Sequence, residues 1–167
     1  MVFFDPKERE IKCEIVAEIP KLGSQWKVIL DFQPTQNMQN NESTHHLLSF
    51  SVKKLQSYRP VSLAINSSSF YVGYREFQNN TLGNWKTIRR NRGSNQMPKV
   101  GEWTRIEFSH ELVEGRDFLA LSIGGEEVSR GEILGPELRG FCDLQVILGL
   151  SGSLPGHIRR LAVLEKK

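Results

Sequence analysis

Apolar and polar residues alternate with a period of two along most of this chain. Trp26, Val28, Leu30 and Phe32 are interleaved with Lys27 and Asp31, the pattern of a strand with one face in a core. His46, Leu48, Phe50 and Val52 repeat it, and so do Val61, Leu63 and Ile65, with Ser62 and Ala64 on the other face. Asn66-Ser-Ser-Ser69 then supplies turn residues, and Phe70, Val72 and Tyr74 begin a returning strand. Thr104, Ile106 and Phe108 oppose Arg105 and Glu107. Leu119, Leu121 and Ile123 run into Gly124-Gly125, a pair suited to the positive φ values of a tight hairpin, with Glu126–Arg130 returning. Leu144, Val146 and Leu148 form a late strand, and Arg159, Leu161 and Val163 close the chain.

Helical spacing is nearly absent. The best helical candidate, Lys7–Val16, also alternates through Ile11, Cys13 and Ile15 and is read as a first strand. Strand signals separated by Asn-, Gly-, Ser- and Pro-rich turns number about eleven, which predicts an antiparallel all-β sandwich or jelly roll. With no internal repeat and no shift in composition, the prediction is one β-sandwich domain over residues 10–167, preceded by an N-terminal extension at 1–9.

Composition agrees with this picture. At 167 residues, with 38% hydrophobic residues and 14 glycines, the chain can bury one core but not two of ordinary size. No apolar run approaches the ~20 residues of a membrane helix. The charged Lys7–Glu10 stretch stands where the apolar segment of a signal peptide would lie. A mature secreted domain, an excised module and a cytosolic protein all fit this start. The two cysteines, Cys13 and Cys142, are too few for a disulfide scaffold and lack zinc spacing. If the first and last thirds of the chain pair, they can form one long-loop disulfide; otherwise they are two buried thiols.

Catalytic and metal-binding patterns fail on inspection, and no cofactor motif is present. Gly149-Leu-Ser-Gly-Ser153 approaches a nucleophile elbow but ends in Ser and lacks the strand–turn–helix setting. His45, His46, His110 and His157 have no ligand spacing; His46 falls on an apolar face as a core or pocket-edge residue and His45 faces solvent. The acids offer no closely spaced pair of the kind a glycosidase needs. The chain is read as a non-enzyme.

Charge sharpens the functional question. The net charge of +3 is too modest to imply nucleic acid. Residues 84–105, however, hold six basic side chains (Lys86, Arg89, Arg90, Arg92, Lys99 and Arg105) against one acid, Glu102. Around Asn84 and Trp85 this segment joins an aromatic face, which stacks on the apolar side of a pyranose, to guanidinium donors for hydroxyl, sulfate or carboxylate oxygens. Asn84, Trp85, Lys86, Arg89, Arg90 and Arg92 are therefore the candidate ligand-binding residues. The alternative is a solvated basic loop with Trp85 in the core. Three sequons, at Asn41, Asn66 and Asn79, fall in predicted turns and could carry glycans.

These residues resemble the concanavalin A-like jelly-roll group, which includes laminin G-type modules and galectins. Gly101-Glu-Trp-Thr-Arg-Ile-Glu-Phe108 followed by Phe118-Leu-Ala-Leu-Ser-Ile-Gly-Gly-Glu-Glu-Val128 is similar to that group's G-x-W-x-x-I strand and its hairpin. Trp26-Lys-Val-Ile-Leu-Asp-Phe-Gln-Pro34 and Pro155-Gly-His-Ile-Arg-Arg-Leu-Ala-Val163 are similar to its first long strand and its closing strand. Against the galectin sugar-binding segment N-W-x-x-E-x-R, the chain offers Asn84, Trp85 and Arg89, with Thr87 or Ile88 where the galactose-contacting Glu stands. The galectin H-x-N-x-R strand is not reproduced at His45-His46. The resemblance thus implies a lectin-like or laminin G-like recognition module for a glycan, an anionic one included, or a protein ligand, with an altered site. It implies an extracellular setting; the alternative is a cytoplasmic protein exported by a non-classical route. A second functional reading is a structural or homo-oligomerisation domain of a larger extracellular protein.

Overall fold

The computed structural model describes residues 1–37, 44–53, 60–66, 69–78, 81–88, 98–133, 138–149 and 154–166. They form thirteen strands in two antiparallel sheets. One sheet has seven strands. Its path runs from β1 (Phe3–Asp5) through β13 (Gly156–Glu165), β4 (Trp26–Pro34), β9 (Thr104–Val113) and β10 (Arg116–Ile123) to β11 (Glu126–Ile133), with β2 (Arg9–Glu10) also paired to β13. The other has six strands, in the order β3 (Glu14–Leu22), β12 (Phe141–Leu148), β5 (His45–Val52), β6 (Val61–Asn66), β7 (Ser69–Gln78) and β8 (Thr81–Thr87). The all-β sandwich expected from the alternation is therefore present, with a few more strands than the pattern alone marked.

The alternating residues meet between the sheets. Val28, Leu30, Phe32, Ile106 and Phe108 come from the seven-stranded sheet, and Phe50, Leu63, Ile65, Phe70, Val72, Val146 and Leu148 from the six-stranded sheet; all are buried. Each large apolar side chain so buried contributes about 1.5–3 kcal/mol. Trp26 is a hub of this core. Its ring centroid lies 4.9 Å from that of Phe50 and 5.9 Å from that of Phe108, and its Nε1 donates to Leu138 O at 3.0 Å. That hydrogen bond allows an indole N–H to sit in an apolar interior. The Gly124-Gly125 turn takes φ of 61° and 86°, the left-handed values the dipeptide foretold, and joins β10 to β11.

Three local expectations change. The first predicted strand divides in two. β2 pairs with β13 and β3 pairs with β12, so only Ile11 of the Ile11–Cys13–Ile15 set enters the core, while Ile15 is 51% exposed. The sheet also does not stop at residue 10. Phe3–Asp5 pairs with Leu161–Val163, and Asp5 accepts hydrogen bonds from Lys7 N and Arg9 Nε at 3.0 and 2.7 Å. Finally, Cys13 and Cys142 are exposed rather than buried thiols. Cys142 pairs with Lys21 at one end of the β3–β12 ladder, whereas Cys13 precedes Glu14, the partner of Leu148 at the other end. The length of the ladder thus separates them, and a disulfide needs Cα atoms within about 7 Å.

A buried ionic cluster ties the β3–β4 turn to the β9–β10 hairpin. His110, fully buried and stacked on Trp26, donates from Nδ1 to Ser24 O and from Nε2 to Asp117 Oδ1, both at 2.8 Å. Arg139 grips the same carboxylate through Nε at 2.8 Å and a terminal nitrogen at 2.7 Å. Burial pulls the Asp117 carboxyl upward, but the hydrogen bonds from Arg139 and His110 outweigh it and hold it below its ordinary value.

Candidate functional site

On the outer side of the six-stranded sheet, β5 to β7 carry a group of small side chains, Ser49, Ser62 and Ala64 among them, that are buried. The registers Ser49↔Ser62 and Ser62↔Gly73, then His46↔Ala64 and Ala64↔Tyr71, define two adjacent rows. The presence of His46 in this array departs from the simple alternation. A bulge between His46 and Leu48 buries Leu47 and Leu48 in succession, which turns His46 away from the face of Leu48 and Phe50. His46 is therefore half-buried on the outer face rather than in the core.

Hydrogen bonds fix the orientation of these groups. Ser62 Oγ donates to Leu48 O at 3.3 Å, so it accepts from Ser49 Oγ at 2.6 Å and from His46 Nδ1 at 2.7 Å. In the neutral ring, Nδ1 is then the protonated nitrogen and Nε2 the acceptor.

Trp85 lies against this array. It pairs with Arg75 across the β7–β8 ladder, and its indole lies over Gly73 so closely that a Cβ there would overlap ring atoms. Glycine is required at position 73 for that close approach rather than for its backbone angles. The His46 ring meets the indole edge-on, with centroids 5.7 Å apart at 77°. Trp85 and Arg75 are both half-buried. Arg75 Nε is shielded from solvent and makes no hydrogen bond among the described residues, an unmet donor beside an aromatic face. The assembled group is a half-buried indole and imidazole, two buried hydroxyls behind them and a guanidinium whose Nε has no hydrogen-bond partner among the described residues.

The residues predicted from sequence are distributed unevenly around this group. Trp85 is within it, packed on a strand but not in the core. Asn84 and Lys86 flank it in β8; Lys86 is exposed and pairs with the core residue Tyr74, so it leaves the strand on the side opposite Trp85. Arg89, Arg90 and Arg92 lie outside the described residues, as do Asn41, Asn79 and Ser151, while Asn66 ends β6. Arg105, counted with the same basic run, belongs to β9 in the other sheet. His46, Ser62, Gly73 and Arg75 were not singled out as partners of Trp85. The signal that could have found them is the polar–small alternation Ser62-x-Ala64 and Gly73-x-Arg75 on consecutive hairpin strands. Among the described residues, no three His, Cys, Asp or Glu side chains gather as metal ligands, and no helix is long and apolar enough to cross a membrane.

No protein-family model and no curated protein sequence matches the chain. Solved structures do match in fold. A galectin from Caenorhabditis elegans, LEC-6, is 11% identical, with a TM-score of 0.54 over 95% of this chain and 96% of its own. The carbohydrate-binding module CBM40 of a Ruminococcus gnavus sialidase, solved with α2,3-sialyllactose, is 12% identical, with a TM-score of 0.56 over 97% of this chain and 93% of its own. The SAP-like pentraxin of Limulus polyphemus is 15% identical, with a TM-score of 0.58 over 89% of this chain and 67% of its own. The chain also spans only 44% of a matching botulinum neurotoxin serotype D binding domain. The chain has the concanavalin A-like jelly-roll fold, and at these identities the likeness is one of fold.

Proposed function

We propose that the protein is a non-enzymatic carbohydrate-recognition module whose ligand lies on the outer face of the six-stranded sheet. The observation that carries this reading is the half-buried Trp85 indole, packed against Gly73 beside the His46–Ser62–Ser49 network and the unmet Arg75 Nε. Trp85 is the stacking platform. His46, braced by the buried Ser62–Ser49 pair, reads a hydroxyl group, and Arg75 donates to a hydroxyl or an acidic substituent through a charge-assisted hydrogen bond. Of the other residues expected from the sequence, Lys86 points away from this face, and Arg89, Arg90 and Arg92 follow Trp85 in the chain outside the described residues. Two solved relatives in fold, a galectin and a module bound to sialyllactose, support a saccharide ligand.

On this reading the module works outside the cell, where glycans are displayed, with Asn41, Asn66 and Asn79 as its own glycosylation candidates. A glycan array carrying neutral, sialylated and sulfated saccharides tests the reading. Binding that falls about tenfold or more in Trp85→Ala, with the fold retained by far-UV circular dichroism, is the expected result. An array without signal from the wild-type protein, or signal unchanged in Trp85→Ala, overturns it.

A further inference from the structure

The outer face of the seven-stranded sheet carries a separate cluster built from three distant parts of the chain. Ile158 and Leu161 both enter the core, and between them the β13–β4 register shifts. That bulge places two consecutive residues, Arg159 and Arg160, on the outer side. Arg160 accepts a left-handed backbone, φ 54°, to make the turn, a conformation disfavoured for a residue with a Cβ. Both guanidinium groups, with that of Arg105 on β9, converge on Asp31 of β4. Arg159 Nε stands 3.3 Å from Oδ2, Arg105 Nε 3.6 Å from Oδ1 and a terminal nitrogen of Arg160 3.8 Å from Oδ2. Trp103 completes the cluster, its ring 4.1 Å beneath the Arg159 guanidinium.

Three cations thus share one carboxylate, and only Arg159 is within hydrogen-bonding distance of it. Asp31 is deeply set, its side chain 8% exposed, whereas those of Arg105 and Arg160 are 53% and 57% exposed. Among the described residues no other acid pairs with these three arginines. Asp31 therefore gathers three guanidinium groups of which Arg105 and Arg160 stay more than half exposed and beyond hydrogen-bonding distance, and one carboxylate against three cations leaves an excess of positive charge. Backbone strain maintained to aim a second arginine at the same point is typical of a functional site.

We propose that Arg105, Arg159 and Arg160 form a second ligand site, distinct from the Trp85 face, that binds a tetrahedral oxyanion: the sulfate or phosphate ester of a larger ligand. Arg105 and Arg160 supply the outward donors. Arg159, stacked on Trp103 and bonded to Asp31, fixes the spacing between them. The anion relieves the mutual repulsion of three guanidinium groups that one carboxylate cannot neutralise.

The test is an NMR titration of the 15N-labelled protein with sodium sulfate and, separately, sodium phosphate, against sodium chloride at matched ionic strength. Saturable shifts are expected at the Nε–H signals of Arg105, Arg159 and Arg160 and at the Trp103 indole. They should weaken about tenfold in Arg105→Gln. They should also weaken in Arg160→Gly, which removes the guanidinium while keeping a residue suited to the left-handed backbone. Saturation by sulfate alone assigns a sulfated ligand, by phosphate alone a phosphorylated one, and by both the shared oxyanion. Shifts that track chloride in every arm, or that persist unchanged in both variants, overturn the proposal. Trp85→Ala should leave these shifts intact, so the outcome is independent of the saccharide site.

Discussion

The indole of Trp85 lies on the backbone of Gly73, one strand inward from the edge of the six-stranded sheet, with no room for a β-carbon between them. A single methyl at position 73 should therefore displace the ring. Because Trp85 is half-buried, it can swing outward, and the stability loss should be at the lower end of the about 1–3 kcal/mol typical of overpacking. Gly73→Ala should shift the Trp85 fluorescence to longer wavelength and remove saccharide binding while leaving the circular dichroism spectrum unchanged. Unaltered binding in Gly73→Ala would show that the close seating of the indole on Gly73 is irrelevant to recognition.

Ser62 accepts from Ser49 and His46 and donates to Leu48 O, so its hydroxyl is the junction of the polar network. Ser62→Ala leaves Ser49 Oγ, His46 Nδ1 and Leu48 O without that partner, a cost of about 1–3 kcal/mol in thermal or urea denaturation. Saccharide affinity should fall with it because the His46 ring loses the hydrogen bond that orients it. Retention of both stability and affinity would mean that the network is incidental.

Asp117 governs the acid limb of stability. Its folded carboxyl is held below the ordinary value of 3.8, so its contribution is complete above that value and is lost as the pH falls through the lower folded value. Urea denaturation across this range should show the wild type weakening below pH 3.8. Asp117→Asn should be less stable at neutral pH, where Arg139 loses its counter-charge and His110 its carboxylate acceptor, and its stability should vary less with acid. Parallel pH profiles for the two proteins would contradict this assignment.

The thiols offer a simple check of the β3–β12 register. Cys13 and Cys142 are both exposed and lie at opposite ends of that ladder. Iodoacetamide should modify both in the native protein, and oxidation should give no intramolecular bridge between them. A peptide joining Cys13 to Cys142 in one monomer would require a different register.

Most of the sandwich is legible in the sequence because its strands bury one face each, so period two survives in the Trp26–Phe32, Val61–Ile65 and Leu119–Ile123 segments. What escapes is what bulges do. At His46–Leu48 the alternation slips by one, which moves His46 from an apparent core face to the outer face of the sheet. At Arg159–Ala162 the same device puts two arginines on one side of a strand. A bulge inserts a residue without altering composition, so hydrophobic pattern alone cannot place it. The basic run 84–105 was visible as charge, yet Lys86 and Arg105 belong to different sheets. Trp85 stands out in the sequence as a candidate, but the glycine beneath it and the histidine beside it become its neighbours only through the pairing of β5 to β8.

The most direct test of the saccharide site uses the three tryptophans as internal reporters. Indole N–H signals of Trp26, Trp85 and Trp103 can be followed while lactose, α2,3-sialyllactose and a sulfated lactose are titrated into the 15N-labelled protein. The account predicts that at least one of these saccharides produces saturable shifts at Trp85 and Arg75, with the core indole of Trp26 unmoved. The absence of saturable shifts with all three, or shifts that leave Trp85 untouched, would contradict it.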